Sequence, residues 1–156
     1  MSDLITTDLV RLDATLGDAK QDVIRSLAGI VGDAGRSHDV EQLVADVLAR
    51  EDASATGLPG GIAIPHCRTA GVEEPTLVFA RLEPKVDFGA RDGPADLVFL
   101  IAAPSLGDAD HLTILTRLAR ALVKPVFADA LRGARAPVDV VALVHQELRL
   151  DSGPPA

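Results

Sequence analysis

The run Asp96-Leu-Val-Phe-Leu-Ile-Ala-Ala103 decides how this chain folds. A strand with one wet face alternates apolar and polar residues, whereas a continuous apolar run closed by a proline, here Pro104, is the mark of a strand covered on both faces. It belongs at the centre of a sheet. Downstream, Pro104-Ser-Leu-Gly-Asp-Ala-Asp110 leaves the strand and opens a helix carrying Leu112, Leu115, Leu118, Ala119 and Leu122 at helical spacing, which Lys124-Pro125 breaks. Shorter helices are expected over 126–131 and 138–148.

Upstream, extended segments are expected at 76–82, 61–65 and 9–12. Between them Asp18 with Gln21 reads as a capping pair for a helix bearing Val23, Ile24, Leu27, Ile30, Val31 and Ala34, stopped by Gly35. Asp39 with Gln42 repeats the device for a second amphipathic helix, which places Val40, Leu43, Val44, Val47 and Leu48 on one stripe and ends near Arg50. The segment 54–61 is too rich in Gly and Pro to be regular and is expected as a loop. Helices before, between and after strands give an α/β domain of three layers, a mixed sheet with helices on both faces, over residues 1–150. Residues 151–156, Asp-Ser-Gly-Pro-Pro-Ala, read as a linker or disordered tail.

Composition narrows the function. The chain has 156 residues, 47% of them apolar, enough for one sizeable core. A formal charge of −8 without any Lys/Arg block gives no grip on nucleic acid phosphates, and four Phe with no Trp or Tyr leave no stacking platform for bases or sugars. No apolar stretch is long enough to cross a bilayer, and the N-terminus has no secretory pattern, so a cytoplasmic location is expected, with no direct membrane insertion. The single Cys67 cannot form an intramolecular disulfide, and no His/Cys/Asp cluster has metal-ligand spacing.

The chemistry-bearing stretch is Gly60-Gly-Ile-Ala-Ile-Pro-His-Cys-Arg-Thr-Ala-Gly-Val72. Period-two alternation puts Ile62, Ile64 and His66 on one face and Ala63, Pro65 and Cys67 on the other, with His66 expected where a strand gives way to a loop. Cys67, on the opposite face, is a poor partner for His66 and is read as packing. His111, in the first turn of the helix after Asp110, lies where free N–H groups would welcome an anion, although by itself it reads first as an exposed first-turn residue beside a capping Asp110. Arg50 at a helix C-terminus needs no explanation beyond the dipole. His38 is expected to be exposed and His145 structural.

Four motifs then occur in order: Thr56-Gly-Leu-Pro-Gly-Gly-Ile-Ala-Ile-Pro-His66, Val86-Asp-Phe-Gly-Ala-Arg-Asp-Gly93, Leu97-Val-Phe-Leu-Ile-Ala-Ala-Pro104 and Asp110-His-Leu112. Together they resemble the enzyme IIA domains of the fructose/mannitol class (type 2) of the bacterial phosphoenolpyruvate-dependent sugar phosphotransferase system, over roughly residues 5–150. The resemblance implies a mixed, about five-stranded sheet between helices. It implies that His66 accepts a phosphoryl group from phosphorylated HPr and passes it to a cysteine of a IIB domain, in the same polypeptide or a separate one, for a sugar of which fructose is the expected identity. It also implies site roles for His111 and Arg50, with no cofactor and no metal, and tethering to the inner face of the membrane if a permease is fused. Pro59 and Gly60 stand where members commonly have Gly and Asn, and Cys67-Arg68 where they have Gly-Lys; Gly60 can take the positive φ that Asn often takes, and Arg68 keeps the charge. A rival reading is a nitrogen-type regulatory enzyme IIA whose phosphorylation controls binding to target proteins. A small-molecule hydrolase would need an activated Ser or Cys beside a base, and none is legible.

Overall fold

The computed structural model describes residues 4–105 and 110–151, apart from the side chains of 110–112 and 149–151. In chain order the elements are β1 (Val10–Ala14), α1 (Lys20–Asp33), α2 (Val40–Ala53), β2 (Gly57–Leu58), β3 (Ile62–Ala63), β4 (His66–Thr69), β5 (Thr76–Val86), β6 (Ala95–Pro104), α3 (Asp110–Leu122), α4 (Pro125–Gly133) and α5 (Pro137–Asp151). The sheet is mixed and runs β1-β5-β6-β3-β2, with β4 also paired to β6. β5 is antiparallel to β6, β3 and β4 are both parallel to it, β1 is parallel to β5, and β2 closes the far edge antiparallel to β3.

The apolar run does what its pattern requires. Every residue from Leu97 to Ala103 is buried, because α1 and α2 cover one face of the sheet and α3, α4 and α5 the other. Phe79 and Phe99 stand directly opposite each other in the antiparallel pair, with ring centroids 4.6 Å apart and planes tilted by 43°. That tilted pairing adds to what their burial contributes.

Several boundaries move for physical reasons. Asp39 caps α2 as expected, its Oδ1 accepting the Gln42 N–H at 3.1 Å. Asp18 does not cap α1: the cap is Ala19, one residue later, without a side-chain bond, so Asp18 falls just outside the turn it would serve. Gly35 ends α1 at φ 76°, which lets the Arg36 N–H reach back to the Val31 carbonyl at 3.0 Å. The Gly/Pro-rich stretch expected as a loop contains β2, joined to β3 by a turn in which Gly60 (φ 93°) and Gly61 (φ 77°) both take positive φ. β5 continues past the expected end at Leu82 to Val86, through a register shift in the stretch that holds Pro84. The helix α2 runs to Ala53 rather than Arg50, and α5 reaches Asp151, the first residue of the expected tail; residues 152–156 lie outside the described residues.

Truncating the central aromatic pair should be severe. Phe99→Ala is expected to cost about 3–5 kcal/mol, the usual loss for emptying a fully packed aromatic site. Denaturant unfolding of both proteins measures it, and a loss below about 1 kcal/mol, the range of conservative core swaps, would mean that β6 is not the centre of the core.

Candidate functional site

The sequence placed His66 at a strand end, and the structure corrects this: His66 opens β4, midway along β6. β3 and β4 are two halves of one strand position. Ala63 pairs with Val98 and His66 with Ile101, so the register advances three residues on both sides and nothing is inserted at the break. The ladder lapses at Pro65, which has no N–H to give to β6. Its carbonyl still accepts the Ile101 N–H at 3.0 Å, while the Ile64 N–H turns the other way to the Thr56 carbonyl at 3.2 Å.

This break sets the imidazole. Ile64, held extended by the proline after it, aims its carbonyl at the ring two residues on, 2.8 Å from His66 Nδ1. A carbonyl oxygen only accepts, so the hydrogen sits on Nδ1, and the neutral ring presents its lone pair at Nε2. The ring is half-buried. Its neighbour Cys67 is buried on the opposite face, where the charge of Asp46 on α2 reaches it, so His66 rises on the face that carries α3.

The other two expected site residues divide. His111 is the second residue of α3, on the covering layer of that face, and its side chain lies outside the described residues. Arg50 sits in the last turn of α2 and its Nη1 donates to the Ser54 carbonyl at 3.0 Å, closing the helix end rather than meeting the imidazole. Among the described residues no three metal-ligating side chains cluster, and no helix is long and apolar enough to cross a membrane.

Residues 3–147 match the model of the family described as phosphoenolpyruvate-dependent sugar phosphotransferase system, EIIA 2. The chain belongs to this family. It is 33% identical over 147 residues to the fructose-specific EIIABC component of Bacillus subtilis, covering 94% of this chain but only 23% of that much longer protein. It is also 35% identical over 119 residues to a nitrogen regulatory protein of Pseudomonas aeruginosa, covering 76% of this chain and 77% of the relative. Among solved structures, the nitrogen regulatory protein IIA-Ntr of Neisseria meningitidis superposes with a TM-score of 0.82 at 27% identity, over 90% of this chain and 96% of that one. The α/β architecture and the phosphoryl-relay family thus agree.

Sequence reasoning missed one buried charge in this EIIA domain. Glu51 is buried, and its carboxylate accepts from the Thr56 hydroxyl at 2.7 Å, the Thr56 N–H at 2.9 Å and the Lys20 ammonium at 3.3 Å. The signal was present: Leu43, Val47 and Glu51 repeat every four residues, so an acid continues the buried stripe of α2.

Cys67 gives a check on the geometry. Burial, and secondarily the charge of Asp46, push its thiol up to about 12, leaving almost no thiolate near neutrality. We expect a disulfide reagent at pH 8 to label it only as fast as the domain opens, with rapid stoichiometric labelling in denaturant. Rapid labelling of the folded protein would put Cys67 on the surface and remove the argument for which way His66 faces.

Proposed function

We propose that this chain relays a phosphoryl group through His66 Nε2 in sugar uptake, taking it from phosphorylated HPr and passing it to a cysteine of a IIB domain. The observation that carries the reading is the Nδ1–H bond to the Ile64 carbonyl, which leaves a nucleophilic lone pair at the outer nitrogen of a half-buried ring. In the first transfer the P–Nε2 bond forms as the bond to the donor breaks, and the departing group keeps the electron pair. In the second, a IIB thiolate attacks the same phosphorus and the P–Nε2 pair returns to the ring. Nδ1 keeps its hydrogen throughout, so no proton need move at this residue.

Catalysis of such a transfer is positioning together with stabilisation of the equatorial oxygens. His111, on the helix layer above the His66 face, is assigned that donor role. Arg50 is assigned it too, which requires its guanidinium to leave the Ser54 carbonyl when the anion arrives. Arg68, two residues along β4 and so on the His66 side, adds positive charge. Support for a IIB partner, and for fructose as the first sugar to test, comes from the relative in which a domain like this one is part of a fructose-specific EIIABC chain. Working beside such a permease would place the domain at the cytoplasmic face of the membrane.

A regulatory output has its own support, in the relative and the solved structure that carry nitrogen-regulatory names. Both readings share the acceptor and differ in where the phosphoryl group goes. Incubating the loaded chain with a fructose-type IIB domain separates them: transfer to the IIB cysteine within seconds supports transport, whereas retention on this chain supports regulation.

The acceptor itself is tested by His66→Ala, which should take no phosphoryl group from phosphorylated HPr by intact mass while remaining folded. Full labelling of that variant would move the acceptor elsewhere. His111→Ala should still accept but pass the group to IIB about 10²–10³-fold more slowly, the usual loss for one stabilising donor. Rapid-quench measurement of both half-reactions decides it, and equal losses in the two would remove the asymmetric role.

A further inference from the structure

Glu51 is 3% exposed, and a carboxylate is not left in such a place without partners. Its partners form a chain that ends on the reacting ring. The carboxylate holds Thr56 by both hydroxyl and N–H, with Lys20 of α1 as counter-charge. The Thr56 carbonyl then accepts the Ile64 N–H at 3.2 Å, and the Ile64 carbonyl accepts the His66 Nδ1–H at 2.8 Å. Pro65, between the last two, can add no N–H of its own to steady the segment, so Ile64 is held from the Thr56 side.

We propose that Glu51 and Thr56 are positioning residues for His66: the buried carboxylate fixes Thr56, Thr56 fixes Ile64, and Ile64 fixes the imidazole tautomer that leaves Nε2 free. This rests on the reading of His66 as the phosphoryl acceptor. The coupling is geometric. The N–H and C=O of Ile64 belong to different peptide groups, so what passes along the chain is the orientation of the Ile64 backbone and not a charge or a proton. The device links the C-terminus of α2, the β2–β3 hairpin and β4, three elements that would otherwise set the ring only through side-chain packing. A ring released from the Ile64 carbonyl exchanges hydrogen between its nitrogens, and the form with hydrogen on Nε2 has no lone pair there to attack phosphorus.

The test compares Thr56→Val, Thr56→Ser and Glu51→Gln with the parent chain. Nitrogen NMR of the labelled imidazole, at a pH where the ring is neutral, reads the tautomer directly, and rapid-quench uptake from phosphorylated HPr reads the rate. The parent should carry its hydrogen on Nδ1. Thr56→Val and Glu51→Gln should show mixed tautomers and uptake slowed by about 10- to 100-fold, in line with the cost of misplacing a reacting group. Thr56→Ser, which keeps the hydroxyl, should restore both. Folded Thr56→Val with the parental tautomer and rate would overturn the proposal, as would a slowed rate with the tautomer unchanged. Should Glu51→Gln fail to fold, the Thr56→Val and Thr56→Ser pair decides alone. If the parent takes no phosphoryl group on His66, the acceptor reading fails, yet the tautomer comparison still reports on the positioning chain.

Discussion

A proline without an N–H, set in the middle of a strand that is otherwise fully paired, is the constraint on which this site depends. Pro65 removes one rung of the ladder to β6 and biases Ile64 to an extended backbone, and the Ile64 carbonyl thereby becomes the acceptor for His66. A surface loop could present an imidazole as well, but its ring would sample both tautomers and several directions. Here the backbone on either side of the ring is pinned to β6, the central strand of the core, so the orientation of His66 inherits the rigidity of that core.

The same arrangement separates two reactive-looking neighbours. Strand alternation sends Cys67 into the α2 side of the core, where burial keeps it a thiol, and sends His66 to the α3 side, where the ring is half-open. A relay needs such an intermediate exposure: the ring must meet the phosphorus of one partner and then another, and water must be kept from a labile P–N bond in between. Membership in the EIIA 2 family fits this chemistry, and the sugar-uptake and nitrogen-regulatory readings begin from the same reaction at the same atom.

What was legible in the sequence was whatever rests on a strong local signal. The apolar run of β6, the periodicity of α1 and α2 and the Asp39–Gln42 cap are decided by nearest neighbours, and they stand as read. The Asp18 cap failed because capping depends on which residue is first to leave the helix, a one-residue matter that the preceding loop settles. β2 was hidden because the Gly and Pro that build its turn to β3 read equally as a loop, and β4 was hidden because its strand character comes from pairing with β6, far along the chain. Glu51 was hidden for the opposite reason: its place on the α2 stripe is plain, but charged residues are ordinarily assigned to solvent, and only its distant partner Lys20 and the fold of 54–56 make burial tolerable. The motif resemblance singled out His66 for the same family that the whole-chain match supports, while the roles of Arg50 and His111 stand as proposals.

The central claim is that the fold leaves Nε2, and not Nδ1, as the reacting nitrogen of His66. Phosphorus and nitrogen NMR of the chain loaded from phosphorylated HPr tests it most directly. A single phosphoryl group bonded to His66 Nε2, with hydrogen still on Nδ1, is the predicted result; a phosphoryl group bonded to Nδ1, or carried by any other residue, would contradict it.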